Sequence, residues 1–164
     1  SLPFDDEIPT KEMCNTDEKF YELFDATFRR NSTWSTKFPY LDPVDGIKKS
    51  PVLGDASTDM KEVDAFYKFW TNFESWRVFD HFAKHNIEAI KQAGDRYQKR
   101  KMEKENTDEV KVHAKQEHKR LIELVETARK LDPRIQGAEQ AAIDAKNAVK
   151  NAAAKKKAEE KAAV

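Results

Sequence analysis

Val63-Asp-Ala-Phe-Tyr-Lys-Phe-Trp-Thr-Asn-Phe-Glu-Ser-Trp-Arg-Val-Phe79 decides the fold class. Val63, Phe66, Phe69, Trp70, Phe73, Trp76 and Phe79 recur at spacings of three and four, the period of one face of an α-helix, and Phe82 follows. Rings this dense cover more than a single stripe. The spacing predicts a helix over 59–82, capped by Thr58 or Asp59 and buried on two sides. At helical spacing, Phe66, Trp70, Phe73 and Trp76 are core residues in preference to a platform for stacking nucleotides.

Upstream, Asn15 or Thr16 caps a second amphipathic stretch, 16–30, with Asp17 and Glu18 in its first turn. Phe20, Leu23, Phe24, Thr27 and Phe28 form its apolar face. The acidic lead-in, 1–15, is interrupted by Pro3 and Pro9 and reads as mobile or loosely docked. Between the two helices lies a loop, 32–58, with Pro39, Pro43, Pro51, Gly46 and Gly54. It owns Trp34, Phe38 and Tyr40, rings whose exposure is costly, so parts of it are expected to pack on the helices. Its middle, 42–50, is expected to move.

Downstream, 84–93 reads as a short helix with Ile87 and Ile90 facing in, closed by Gly94. From 95 to 131 there is neither proline nor glycine, which predicts one long helix. Its first half is charged nearly all round; its second carries the stripe Leu121, Leu124, Val125, Ala128, Leu131. Asp132-Pro133 restarts a helix, with aspartate at the cap and proline at the first helical position. The remainder, 136–164, is an Ala/Lys-rich helical tail with little to bury, expected to fray. The fold expected is all-α: a small helical bundle with an aromatic core and one long projecting charged helix. The core comprises Phe24, Phe28, Trp34, Phe66, Trp70, Phe73, Trp76, Leu121, Leu124 and Val125.

Thirty basic and thirty acidic residues cancel, but their distribution does not. Residues 1–28 hold Asp5, Asp6, Glu7, Glu12, Asp17, Glu18, Glu22 and Asp25 against Lys11 and Lys19. Arg96, Lys99, Arg100, Lys101 and Lys104 stand against Glu103 alone. Of seventeen aromatic residues only Tyr97 lies beyond Phe82, so core and charge occupy different parts of the chain. Cys14 is the single cysteine, which excludes a disulfide framework, and it lacks the basic neighbour that would activate a thiol. No apolar run approaches the ~20 residues that cross a bilayer. The first residues lack a signal peptide's basic start and apolar stretch, and both ends read as cuts within a longer protein.

Chemistry-bearing patterns are missing. The chain has no nucleophile elbow, no glycine-rich phosphate loop and no cysteine–histidine metal spacing. His81 and His85 are four apart, yet no acid of suitable spacing accompanies them. The expectation is a non-enzyme with no catalytic residues, no cofactor and no metal.

Three stretches read as words: Phe28-Arg-Arg-Asn-Ser-Thr-Trp-Ser35; Pro51-Val-Leu-Gly-Asp55 leading into the aromatic segment; and Leu131-Asp-Pro-Arg-Ile135. Their order resembles the zuotin homology domain of J-protein co-chaperones of the ribosome-associated complex, over about 16–135. The resemblance implies a module that seats an Hsp40-type protein on the large ribosomal subunit, at rRNA and ribosomal proteins rimming the exit tunnel. It implies that other regions of the full-length protein bind an atypical chaperone partner and stimulate a DnaK-like chaperone acting on nascent chains. It further implies a cytoplasmic, ribosome-associated location, with a nuclear pool as a variant, and no membrane. The tail resembles the start of the family's charged middle region.

Under this resemblance the ribosome-contacting residues are Arg96, Lys99, Arg100, Lys101 and Lys104, continued by Lys111 and Lys115. Such bases bind phosphates through counterion release, although taken alone a charge run is more often a solvated face. The family pattern departs here. Lys99-Arg-Lys-Met-Glu-Lys-Glu-Asn106 carries Lys101 where tryptophan is usual, and Asp108 and Glu109 interrupt the basic run that follows. Two alternatives remain: a general nucleic-acid (DNA) binding domain, and a structural spacer with no ligand of its own.

Overall fold

Helix α1, Asp17–Ser32, begins where Thr16 turns extended and its hydroxyl oxygen accepts the Lys19 N–H (3.2 Å). Phe20, Phe24 and Phe28, one turn apart, are buried along one face. The computed structural model describes residues 4–37 and 50–164. Phe38, Tyr40 and all of the expected mobile stretch but Ser50 lie outside the described residues.

Helix α2, Met60–Thr71, is shorter than the 59–82 its spacing suggests. Two polar side chains end it. Thr71 Oγ1 donates to the Tyr67 carbonyl (2.8 Å) and Asn72 Nδ2 to that of Lys68 (2.9 Å), taking over last-turn acceptors. The chain then runs extended beside residues 34–36. Thr36 N–H donates to the Glu74 carbonyl (3.0 Å) and Trp76 N–H to that of Trp34 (2.8 Å), flanking an isolated antiparallel bridge between Ser35 and Ser75. Trp76, expected in the core, is therefore 49% exposed. Its ring meets Trp34 edge-on (4.7 Å) and its Nε1 donates to the Thr33 carbonyl (3.1 Å). The short period-four pattern could not register two consecutive side chains that prefer to terminate a helix.

The core is aromatic and joined by the long helix, but of the rings expected in it Phe73 is half-buried at its edge and Trp34, also half-buried, lies outside it. Phe28 lies edge-on to Phe66 (4.9 Å) and against Trp70 (4.8 Å), and Trp70 stacks on Phe73 (4.4 Å). Helix α4, Arg96–Leu131, closes this cluster with Leu121, Leu124, Val125 and Ala128. Each large side chain so buried contributes about 1.5–3 kcal/mol.

A polar pin joins two of the three sequence words, Pro51–Phe79 and Leu131–Ile135. Asp132 is fully buried and Arg134 is 5% exposed at its side chain. The Asp132 carboxylate caps helix α5, Pro133–Ala162, by accepting the Arg134 N–H (3.0 Å), and it also accepts the Tyr67 hydroxyl (2.7 Å). Burial, with Asp132 next to it, pushes the Tyr67 phenol far above its ordinary value, so it stays a donor. Arg134 Nη1 donates to the carbonyls of Leu53 (2.7 Å) and Asp55 (3.2 Å). Gly54, between those two, holds φ +76, and a Cβ there would fall 2.2 Å from Thr58 Oγ1. That position requires glycine.

From Phe4 on, the lead-in is docked on the bundle. Pro9 is buried, Ile8 and Cys14 lie against the aromatic cluster, and Phe4 meets Trp34 edge-on (5.3 Å). Its acids find arginines: Asp5 pairs with Arg30 (3.3 Å) and Asp6 with Arg77 (2.6 Å). Burial raises the Cys14 thiol above its ordinary range. Arg77, for which Asp64 or Glu74 is the nearer acid in sequence, instead bridges Asp6 and Glu117 and lies over the rings of Phe4 (4.7 Å) and Trp34 (5.2 Å).

At the other end, α5 leaves the bundle. Ile135 is its last buried residue, and every residue from Gln136 on is exposed. The helix runs to Ala162 without a break, as the expected helical tail. Alanine, lysine and glutamate sustain it by propensity.

Candidate nucleic-acid interface

Helix α4 begins at Asp95, whose carboxylate accepts the Gln98 N–H (2.8 Å). Its two faces then differ through the helical repeat. Asn106, His113, Glu117, Leu121, Leu124 and Ala128 fall on the side that meets the rest of the protein. Tyr97, Lys101, Lys104, Asp108, Lys111 and Lys115, at alternating spacings of four and three, fall on the opposite side and are all exposed.

The charged half of α4 is not bare, as a projecting helix would be. An arm runs along it: a 3-10 turn, Asp80–Phe82, followed by α3, Ile87–Gln92. Phe82 stacks on His113 (3.7 Å), and the His85 N–H donates to Asn106 Oδ1 (2.7 Å) while Asn106 Nδ2 donates back to the His85 carbonyl (2.7 Å). Glu105 accepts from the His85 ring (2.6 Å) and from Lys84 (3.3 Å), and these bonds hold its carboxyl below the usual range. Because polar pairs and one ring stack do this docking, α3 need not bury Ile87, while Ile90 is half-buried. Ile87, expected inside, is 70% exposed, and α3 ends at Gln92, with Ala93 and not Gly94 at its cap. His81 leans on Phe82 (4.2 Å) while His85 turns to Glu105, so the two histidines face different partners.

The arm covers one side and leaves the basic one open. Arg96, Arg100, Lys101, Lys104, Lys111 and Lys115 are exposed; Lys99, seven residues before Asn106 and so on its face, is half-buried. Among the described residues none of the seven is ion-paired. The bases remain available as charges. Arg120, which continues the run in sequence, does not join them. Its guanidinium is 14% exposed, donates to Glu117 (2.8 and 2.9 Å) and to Asn31 Oδ1 (2.7 Å), and lies 3.4 Å from Asp6.

That cluster of Asp6, Arg77, Glu117, Arg120 and Asn31 was not foreseen. One signal was present: Glu117 and Arg120 fall in register with Leu121 and Leu124, and charges on an apolar stripe need buried partners. Nothing in the spacing could name Asp6 or Arg77, which lie 114 and 43 positions from Arg120 and arrive through the fold.

These features define a helical module with a polar-pinned aromatic core and one open, unpaired basic helix face. The sequence profile described as Zuotin-like, zuotin homology domain, matches residues 19–136. The chain belongs to that family. DnaJ homolog subfamily C member 2 of Bos taurus is 37% identical over 132 residues, covering 80% of this chain and 19% of the relative. Zuotin of Schizosaccharomyces pombe is 37% identical over 121 residues, 73% of this chain and 24% of the relative. Zuotin of Saccharomyces cerevisiae is 32% identical over 120 residues, 73% of this chain and 25% of the relative. The chain thus spans a quarter or less of the length of these relatives.

Proposed function

We propose that this chain is a docking module and not an enzyme: its basic face seats a J-protein co-chaperone on rRNA and adjacent ribosomal protein of the large subunit, near the exit tunnel. The carrying observation is the unpaired stripe Lys101, Lys104, Lys111 and Lys115, flanked by Arg96 and Arg100. Family membership supplies the ribosomal context, and the charges supply the physics. Each phosphate neutralised releases counterions, so affinity falls steeply with salt and depends little on sequence. A-form rRNA offers phosphates and 2′-hydroxyls to such a face. The rigid seat holds the helix while the rest of the protein, through a DnaK-like chaperone and an atypical chaperone partner, serves the nascent chain in the cytoplasm.

The test is co-sedimentation of the chain with empty large subunits over a salt series. The variant with alanine at Lys101, Lys104, Lys111 and Lys115 should dissociate at markedly lower salt than the parent. Unchanged sedimentation would defeat the proposal. Equal competition by duplex DNA would favour a general nucleic-acid binder instead, and no pelleting by the parent chain would favour a spacer.

A further inference from the structure

We infer that Tyr97 is a base-stacking residue: the basic face takes RNA carrying an unpaired nucleobase, which stacks on the Tyr97 ring while the neighbouring lysines hold the flanking phosphates. This rests on the docking role proposed above and names the kind of RNA that the face selects.

Tyr97 stands apart from the other sixteen aromatic residues in the chain, all of which lie at or before Phe82. It is 77% exposed, the most of any aromatic side chain among the described residues. Among the described residues no ring contact or cation–π contact engages it. The ring contributes nothing to the core, and its faces are open to a ligand.

Its position gives the reason. Lys101 and Lys104 follow at one and two turns on the same face, Arg100 stands three residues on, and Arg96 is adjacent. The nearest acid in sequence, Asp95, is engaged as the helix cap. A flat ring at the head of a row of free cations is the arrangement that grips an unstacked base and its backbone together. Bases in loops and bulges stack on aromatic side chains irrespective of their identity, whereas a paired duplex offers phosphates alone. The lysines therefore attract any RNA, and Tyr97 adds a preference for RNA with a splayed-out base. A protein partner would use the ring as an apolar anchor and would show no such preference.

The experiment uses the full chain and two RNAs of equal phosphate number, a hairpin with 2-aminopurine in an unpaired loop and a fully paired duplex. The parent should prefer the hairpin and quench its fluorescence. Tyr97→Leu should lose about tenfold in hairpin affinity and lose the quenching, with duplex binding unchanged. Tyr97→Phe should retain both. Hairpin affinity and quenching unaffected by Tyr97→Leu would overturn the inference, and so would a Tyr97→Phe variant as impaired as Tyr97→Leu. The variant lacking Lys101, Lys104, Lys111 and Lys115 separates the two levels. If it binds both RNAs like the parent, the docking face itself is wrong; if it loses both while Tyr97→Leu loses neither, only the stacking role falls.

Discussion

Asp132 and Arg134, two residues apart, hold one another in the interior through two bonds, Nε to Oδ1 (3.0 Å) and Nη2 to Oδ2 (2.8 Å). The same carboxylate caps α5 and accepts from Tyr67, and the same guanidinium binds the Leu53 and Asp55 carbonyls. One ion pair therefore ties together the turn before α2, α2 itself and the α4–α5 junction. Asp132→Ala leaves a buried guanidinium uncompensated and should cost about 3–5 kcal/mol in urea unfolding. Tyr67→Phe removes a single donor and should cost about 1–2 kcal/mol. Equal losses would show that the hydroxyl, and not the ion pair, holds the junction.

Glu117 (8% exposed) separates two nearly buried arginines, Arg77 and Arg120. Glu117→Ala should destabilise the chain by about 3 kcal/mol, because both guanidiniums lose their buried anion and keep only half-exposed Asp6. Asp6, half-exposed, contributes less to global stability yet ties down the lead-in. Asp6→Asn should leave the urea midpoint almost unchanged while trypsin cleavage after Lys11 quickens.

The docking of the arm on α4 should depend on pH through Glu105. Bonds from His85 and Lys84 hold this carboxyl below its ordinary value of 4.5. A depressed folded-state value means the contribution is complete above the unfolded value and disappears as pH falls through the folded one. Amide-exchange protection of His85, corrected for intrinsic rate, should therefore drop in the acid range below the ordinary carboxylate value. In Glu105→Gln that drop should be absent.

Asp108 lies on the basic stripe between Lys104 and Lys111 and, among the described residues, has no ion pair. Its charge opposes an approaching phosphate, so Asp108→Asn should tighten binding to RNA by about two- to fivefold at low salt, and less as salt screens it. Titration of a labelled hairpin at two salt concentrations measures this. A loss of affinity would place Asp108 in a productive contact.

Much of the fold was legible because burial is written in periodicity. Phe20, Phe24 and Phe28 at one-turn spacing and Leu121, Leu124, Val125 and Ala128 on α4 declare their buried faces locally, since a helix fixes which residues share a side. The basic residues were legible as a run for the same reason. Trp76 was misjudged because helix termination at Thr71 and Asn72 depends on side-chain bonds to the backbone that periodicity does not register.

What the sequence determined by itself was the all-α class, the aromatic core and the location of the charge, because each follows from neighbours three and four residues away. Tertiary structure alone decided which charges are free. Arg120 is consumed by Glu117, Asn31 and Asp6, whereas Lys101, Lys104, Lys111 and Lys115 are left to solvent. Whether a cation meets an anion is settled by distance in space, and Asp6 and Arg120 become neighbours only once the chain has folded.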